Sequence, residues 1–489
     1  MKYTCITFLL FIISLGMSVN VYSQEPFHCI VATDGTGTHT SIQAAIDACP
    51  DNERSLIFVK NGLYEERVSI GSKDVESSKM ISLIGESAEG VVISSNGHRA
   101  DNGLTFYDIV TFQVYAKDFY AENLTIQNTA GNVGQAEALF TGNDKQTFKN
   151  CRILGFQDTF RSKKGTRSYF KDCWIEGAVD FIYAGGIIFF DDCSIHHVRG
   201  GYVAAPEDCF ASIPKSKTAC GKVLKLGFIF RNCDLTANDD VKDQCYLGRP
   251  WSENSGIFYL NCKLGSHITA KGWQEWGGNE TTACFAEYNS MDAEGNLLDV
   301  SQRASWSFQL PKEDAENLLT PEYVYDRAKA NDPYDPVSLC VAPQEPGFLT
   351  VSNKALTWGT VNGAVGYIVL KGDKLIAITT KTTYTDETDG EGKYSVKTID
   401  EMGRLSTARL EGTVSSMEDM AVSQWNVKVD GKNISWNGNA KAELFTLNGV
   451  CIAFSSFQDS FVVEANNGIY ILKLTDEQND SYFQKIVIQ

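Results

Sequence analysis

The feature that most constrains this chain is a string that recurs along its middle: an aromatic residue, one variable position, Asn or Asp, Cys, and an aliphatic residue two further on. It stands as Phe148-Lys-Asn-Cys151-Arg-Ile153, Phe170-Lys-Asp-Cys173-Trp-Ile175, Phe190-Asp-Asp-Cys193-Ser-Ile195, Phe230-Arg-Asn-Cys233-Asp-Leu235 and Tyr259-Leu-Asn-Cys262-Lys-Leu264. Phe119-Tyr-Ala-Glu-Asn123-Leu-Thr-Ile126 is an earlier, cysteine-free relative. The first three cysteines are 22 and 20 residues apart, a span that suits one turn of a parallel β-helix with three short strands and connecting bends. In such a coil each position sits on its counterpart in the next turn, so Cys151, Cys173 and Cys193 are expected as a buried ladder of free thiols. Leu124 with Ile126, and Ile153 with Phe156, fit strands that bury one face inside the solenoid. The expected fold class is all-β: a right-handed parallel β-helix solenoid followed by small β-sandwich modules.

A chain of 489 residues exceeds one ordinary globular core, but a solenoid escapes that limit by growing along one axis. A hydrophobic fraction of 43% and a charged fraction of 21% argue against long disorder. The wider gaps from Cys193 to Cys233 and on to Cys262 imply loops inserted on the coil, and such insertions commonly line a binding face. Cys209 and Cys220, within the first insertion, are the best candidates for a disulfide. Ser41 to Ala48 reads as a short amphipathic helix after the turn Asp34-Gly-Thr-Gly37 and would cap the open N-terminal end.

The ends of the chain differ in character. Lys2, the apolar run Ile6 to Gly16 and the small residues near Ser23 read as a signal peptide over 1–23, cleaved before Gln24. No later stretch is long and apolar enough to span a bilayer. The solenoid is assigned to 24–337. Beyond it, Leu356-Thr-Trp358, Gly366-Tyr367-Ile-Val-Leu370 and Lys393-Tyr394-Ser-Val396 resemble a fibronectin type III sandwich, assigned to 341–413. Ser415 to Gln424 reads as a linker. The strand-rich segment 425–489 resembles the C-terminal sorting domains of Bacteroidetes-type secreted proteins, so the expected location is secreted, periplasmic or on the surface of a Gram-negative bacterium. A net charge of -18 argues against nucleic acid as a partner, because phosphate binding needs a basic face.

The densest polar cluster falls on successive coils: Gln135, then Gln157-Asp158-Thr159, then Asp180. Asp158 and Asp180 are 22 residues apart, the period that stacks Cys151 on Cys173, so the two carboxylates are expected side by side. Two close carboxylates in a partly apolar cleft ionise unequally, leaving one anion and one acid. The plainer alternative is that both are bend residues, since Asp and Asn are abundant in solenoid corners. The flanking glutamines favour chemistry, because amide side chains aimed at the same point can donate to an oxyanion.

Gly62-Leu-Tyr64-Glu-Glu66, Gln135-Ala-Glu-Ala-Leu139, Gln157-Asp-Thr-Phe160, Asp180-Phe-Ile-Tyr-Ala184 and Leu247-Gly-Arg-Pro-Trp251 together resemble, in order, the signatures of the pectin methylesterase family. The resemblance runs from about Val31 through Gly272-Trp-Gln-Glu-Trp276 to Arg303 and Trp306. It implies that Asp180 attacks the ester carbonyl, that Asp158 protonates the departing methanol and then activates water, and that Gln135 and Gln157 hold the oxyanion. Arg249 would pair with Asp180 and keep it ionised. Trp251 would pack on a sugar face, with Tyr183, Phe181 and Phe160 as further substrate-binding residues. The implied partner is a methyl-esterified pectic polysaccharide, met by a monomer that needs no cofactor and no metal.

Tyr183 and Ala184 stand where the family has Phe-Gly, Phe160 replaces a Leu, and Glu137 replaces a small apolar residue. Glu137 would disfavour a substrate carboxylate if it faced the groove, and would mean nothing if it faced solvent. Lys163, Lys164 and Arg167 could meet galacturonate carboxylates or form an ordinary solvated loop. His196-His197 lacks a partner at metal-ligand spacing, and neither H-E-x-x-H nor G-x-S-x-G occurs. The rival readings are a lyase or polygalacturonase on the same scaffold, or a pectin-binding surface protein without catalysis. The second would show the loss of a catalytic group, and none is lost.

Overall fold

Asn123, Asn150, Asp172, Asp192, Asn232 and Asn261, the polar residue of each repeat, all adopt left-handed backbone with φ between 47° and 60°. Asn and Asp tolerate that conformation better than other L-residues, which is why the string carries them at the bend. The side chains also bridge turns: Asn150 Nδ2 donates to Asn123 Oδ1 at 2.7 Å. These bends belong to a computed structural model that describes residues 25–100, 103–389, 391–410, 427–446, 451–475 and 481–488. The leader expected over 1–23 and the linker Ser415 to Gln424 lie outside the described residues.

On one side of each bend the aromatic residues pair in register as Phe148, Phe170, Phe190, Phe230 and Tyr259. Successive ring centroids are 4.7, 5.2, 4.6 and 4.4 Å apart, and the rings stack with interplanar angles of 6°, 23°, 10° and 4°. Phe119 does not join this stack, because Ala121 holds the position opposite Phe148. The earliest copy is aligned by its bend residue, not by its aromatic. On the other side of the bend Cys151, Cys173, Cys193, Cys233 and Cys262 are buried free thiols. Cys173 donates to Phe148 O, Cys193 to Phe170 O, Cys233 to Phe190 O and Cys262 to Phe230 O at 3.4–3.6 Å. The ladder thus satisfies each thiol one turn back.

Stacking of these copies gives a right-handed parallel β-helix. An eleven-stranded parallel sheet runs from Cys29–Val31 to Phe308–Gln309. The other two faces merge into one thirteen-stranded sheet, because the long strands Trp174–Ala184 and Ser194–Pro206 continue around a corner that shorter strands leave open. That corner carries the polar cluster. Every cysteine among the described residues is free, including Cys209 and Cys220. The pairing expected for these two is not formed: Cys209 sits near the backbone of Gly227 and Gly256, whereas the Cys220 N–H is turned to Asp314.

The helix Ile42–Ala48 closes the first turn with Ile42, Ala45 and Ile46 buried. Glu66 explains part of the Gly62–Glu66 string. Its carboxylate accepts from Ser41 Oγ at 2.8 Å and from the N–H groups of Ile42 and Gln43 at 2.7 and 3.1 Å, satisfying the helix N-terminus. Helices Lys312–Leu318 and Pro321–Ala328 cover the outside of the eleven-stranded sheet, with Leu318 and Tyr325 packed among Tyr169, Phe189 and Ile229.

Residues 349–410 form two antiparallel sheets of three and four strands around Trp358, Tyr367 and Val396. Their outer side is not free. Ile368, Ile399 and Leu405 share one apolar cluster with Phe27, Leu56, Phe58 and Tyr120 of the solenoid's first turns. A five-stranded antiparallel sheet from Lys428–Asp430 to Ser481–Ile488 packs around Trp436, Leu444 and Leu472.

Candidate active site

At the corner between the two merged faces, Gln135 bridges Gln157 and Gln157 bridges Val179 in parallel register. One step on, Phe160 pairs with Ile182. Asp158 therefore lies opposite Asp180, and the Asp158 N–H donates to Val179 O at 3.1 Å. Both aspartates have left-handed φ, 61° and 48°. Both are bend residues, as Asp at solenoid corners allows, and both are nearly buried, at 8% and 7% exposure.

Arg249 binds Asp180 in two places, Nε to Oδ1 at 2.9 Å and Nη2 to Oδ2 at 2.6 Å. Its guanidinium carbon lies 4.0 Å from the Tyr202 ring centroid and 4.0 Å from that of Trp276. Burial raises the pKa of Asp180, and the Arg249 bonds and charge oppose that rise. Asp158 has no such clamp. Burial, then the charges of Asp180 and Glu137, push its pKa up to about 8, with the Gln157 amide and Arg161 acting the other way. Of the two, Asp158 is the one held as an acid near neutral pH, and Asp180 is the one whose charge Arg249 matches.

Glu137 faces neither groove nor solvent. It is fully buried, accepts from Arg161 Nε at 2.8 and 2.9 Å and from the Tyr183 hydroxyl at 2.5 Å. Phe160 and Phe181, expected as substrate contacts, are instead core residues with no exposed surface. Phe160 packs edge-on to Phe170, and Phe181 to His197, both turned into the solenoid core just past the left-handed bends at Asp158 and Asp180. Tyr183 and Trp251 do line the cleft, their ring centroids 6.0 Å apart, with Trp251 41% exposed at the rim. Arg167 is not a surface cation: it is wholly buried against Asp144 at 2.7 Å. Lys163 and Lys164 remain exposed beside the cleft.

His196 bonds Thr236 and Asn238, and His197 is buried near His267. Among the described residues no group of three or more His, Cys, Asp or Glu is arranged to hold a metal, and no helix is long and apolar enough to cross a membrane. Sequence reasoning missed Tyr202, Trp276 and Arg161. Tyr202 follows a glycine pair, and a Cβ on Gly201 would meet Ala178 O at 2.0 Å, so glycines inside a strand were the available signal of close approach. Trp276 ends the string Gly272-Trp-Gln-Glu-Trp276, but nothing in its spacing ties it to Arg249. Arg161 follows the Asp158 string directly, and its contact with Glu137 crosses a turn.

The family model described as Pectinesterase matches residues 28–326. "Probable pectinesterase/pectinesterase inhibitor 13" of Arabidopsis thaliana is 32% identical over 326 residues, covering 63% of this chain and 50% of that one. "Pectinesterase 31" of the same plant is 31% identical over 308 residues, covering 60% of this chain and 91% of that one. The chain spans about half the length of several of the curated relatives it matches. Among solved structures, the pectin methylesterase from carrot is 27% identical with a TM-score of 0.54, covering 61% of this chain and 92% of that one. A deglycosylated pectin methylesterase from Aspergillus niger is 25% identical with a TM-score of 0.51, covering 61% and 95%.

Proposed function

Because the chain belongs to the pectinesterase family, we propose that it hydrolyses the methyl esters of galacturonate in pectin, releasing methanol and de-esterified polymer, with Asp180 as nucleophile and Asp158 as acid and base. The observation that carries this reading is the unequal pair: Asp180 clamped by Arg249, Asp158 opposite with its pKa near 8.

The Asp180 carboxylate attacks the ester carbonyl carbon and forms a tetrahedral oxyanion, to which the side-chain amides of Gln135 and Gln157 donate. The oxyanion collapses, the bond to the methoxy oxygen breaks, and Asp158 gives that oxygen its proton. Methanol leaves, and the galacturonyl group stays on Asp180 as a mixed anhydride. Asp158, now a carboxylate, takes a proton from water as the hydroxide adds to the galacturonyl carbonyl. Collapse returns the Asp180 carboxylate and frees the galacturonate. Arg249 keeps the attacking carboxylate ionised and aimed, and Trp251 offers an exposed ring to a sugar face.

The same reading covers the rest of the chain. A leader over 1–23 directs export, 24–337 is catalytic, 341–413 and 425–489 are appended β-modules, and the product acts as a monomer in the periplasm, at the surface or outside a Gram-negative cell. The test is product analysis on methyl-esterified pectin in the presence of a chelator. Methanol without new chain ends is expected. New reducing or unsaturated ends without methanol would replace this reading by a polygalacturonase or lyase, and retention on pectin with no product by a binding protein.

A further inference from the structure

Leu56, Phe58, Ile84 and Tyr120 lie on three neighbouring strands of the eleven-stranded sheet, Arg54–Val59, Met80–Gly85 and Tyr120–Glu122. Register puts Leu56 in a row with Ser82 and Tyr120, and Phe58 in a row with Ile84 and Glu122. The alternate residues Ile57, Leu83 and Ala121 fill the solenoid interior, so these rows face outward. An outward face can be left to water, yet Leu56, Phe58, Ile84 and Tyr120 are 5%, 0%, 0% and 1% exposed. Ile368, Ile399 and Leu405 of the β-module cover them, together with Phe27. Later turns of the same sheet are covered instead by the helices Lys312–Leu318 and Pro321–Ala328.

The approach is close enough to involve the module's backbone. Gly403 has φ of 80°, and a Cβ there would meet Ile84 Cγ1 at 3.1 Å and Leu56 Cδ2 at 3.4 Å. The turn that carries Gly403 is built by Asp400, whose carboxylate accepts from the N–H groups of Met402 and Arg404 at 3.0 and 2.9 Å and from Arg404 Nε at 2.7 Å. Arg404 also reaches back to the helix Pro336–Leu339, donating from Nη1 to Ser338 O at 2.8 Å and to Leu339 O at 3.1 Å. The stretch between that helix and the module is held as well: Arg409 donates from Nε to Pro346 O at 2.8 Å and pairs with Glu345 at 2.6 Å. A recognition arm works through a free tether. Here the tether is tied down, and one face of the module is spent on the solenoid.

We propose that residues 349–410 are an intramolecular cover for the first turns of the solenoid, that the two unfold as one cooperative unit, and that the module is not a polysaccharide-recognition arm. The unit that folds together then runs to residue 410, past residue 326 where the family match ends. A large apolar seam between two parts of a chain removes the independent motion that separate domains otherwise have.

Hydrogen exchange of the full chain in rising urea tests this. Amides of Arg54–Val59 and Met80–Gly85 and those of Ala364–Lys371 and Tyr394–Asp400 should lose protection over one shared transition. Protection lost from the module first, at a urea concentration where the solenoid strands keep theirs, would overturn the inference. Ile368→Ala/Leu405→Ala trims the seam and leaves the module's own core of Trp358, Tyr367 and Val396 in place. It should lower the melting temperature of the solenoid strands by about 5 °C or more, and strands that melt as in the wild type would contradict the cover. In brief labelling without urea, added pectin should leave the segment 379–385 of the module unchanged. Protection gained there would mark the module as a binding arm and sink the proposal.

Discussion

Arg249 holds Asp180 by both oxygens, at 2.9 and 2.6 Å, and the Tyr202 and Trp276 rings fix the guanidinium that does so. A lysine keeps the charge but not the fork or the stacking. Arg249→Lys should therefore lower kcat by roughly a hundredfold, about 2.7 kcal/mol in the barrier, with a smaller change in KM. Steady-state methanol release checks this, and a wild-type kcat would mean that the clamp is dispensable.

The proposed reaction has a pH dependence set by the two aspartates: it needs Asp158 protonated and Asp180 ionised. Asp158 has its pKa raised to about 8, so kcat should fall as pH rises through that value and the acid is lost. On the acid side the rate should fall as Asp180 takes up a proton, at a lower pH because Arg249 opposes the effect of burial. The two limbs report the coupled pair as a whole. Glu137→Gln removes one of the charges that raise Asp158, so the alkaline limb should move to lower pH. A kcat that climbs steadily past pH 9 would contradict the assignment.

Ala184 has φ of 74° where the family signature carries glycine. That conformation costs an L-residue about 1–2 kcal/mol, and the greater chain entropy of unfolded glycine offsets about 0.5–1 kcal/mol of the relief. Ala184→Gly should raise unfolding stability by roughly 0.5–1 kcal/mol. Chemical denaturation measures it, and a destabilised variant would show that the Ala184 methyl contributes more through packing than its backbone loses.

The repeat made most of this architecture legible, because a solenoid writes its period into the chain: aromatics, bends and thiols each recur where they stack. The Asp158–Asp180 pair was legible for the same reason. What stayed hidden depends on side-chain direction or on contacts between distant segments. Phe160 and Phe181 sit within two residues of Asp158 and Asp180 yet point into the core, since the left-handed bends at the aspartates break the alternation a strand would give. Glu137 had two readings on paper and took neither, because its partners Arg161 and Tyr183 come from later turns. The apolar seam joining Phe58 and Tyr120 to Ile368 and Ile399 leaves no periodic trace.

The thiol ladder has its own consequence. Cys151, Cys173, Cys193, Cys233 and Cys262 are buried and free, while Cys451 is exposed. Alkylation of the native protein should modify Cys451 quickly and spare the ladder, and reductant should leave the melting temperature unchanged. Rapid labelling of Cys173 in the folded state would contradict a closed solenoid core.

Asp180 is proposed as the nucleophile, and methanol release from methylated pectin by Asp180→Ala tests that role. Turnover should fall by about four orders of magnitude or more, with the circular dichroism spectrum of the native fold retained. Turnover near that of the wild type in a folded Asp180→Ala would contradict it.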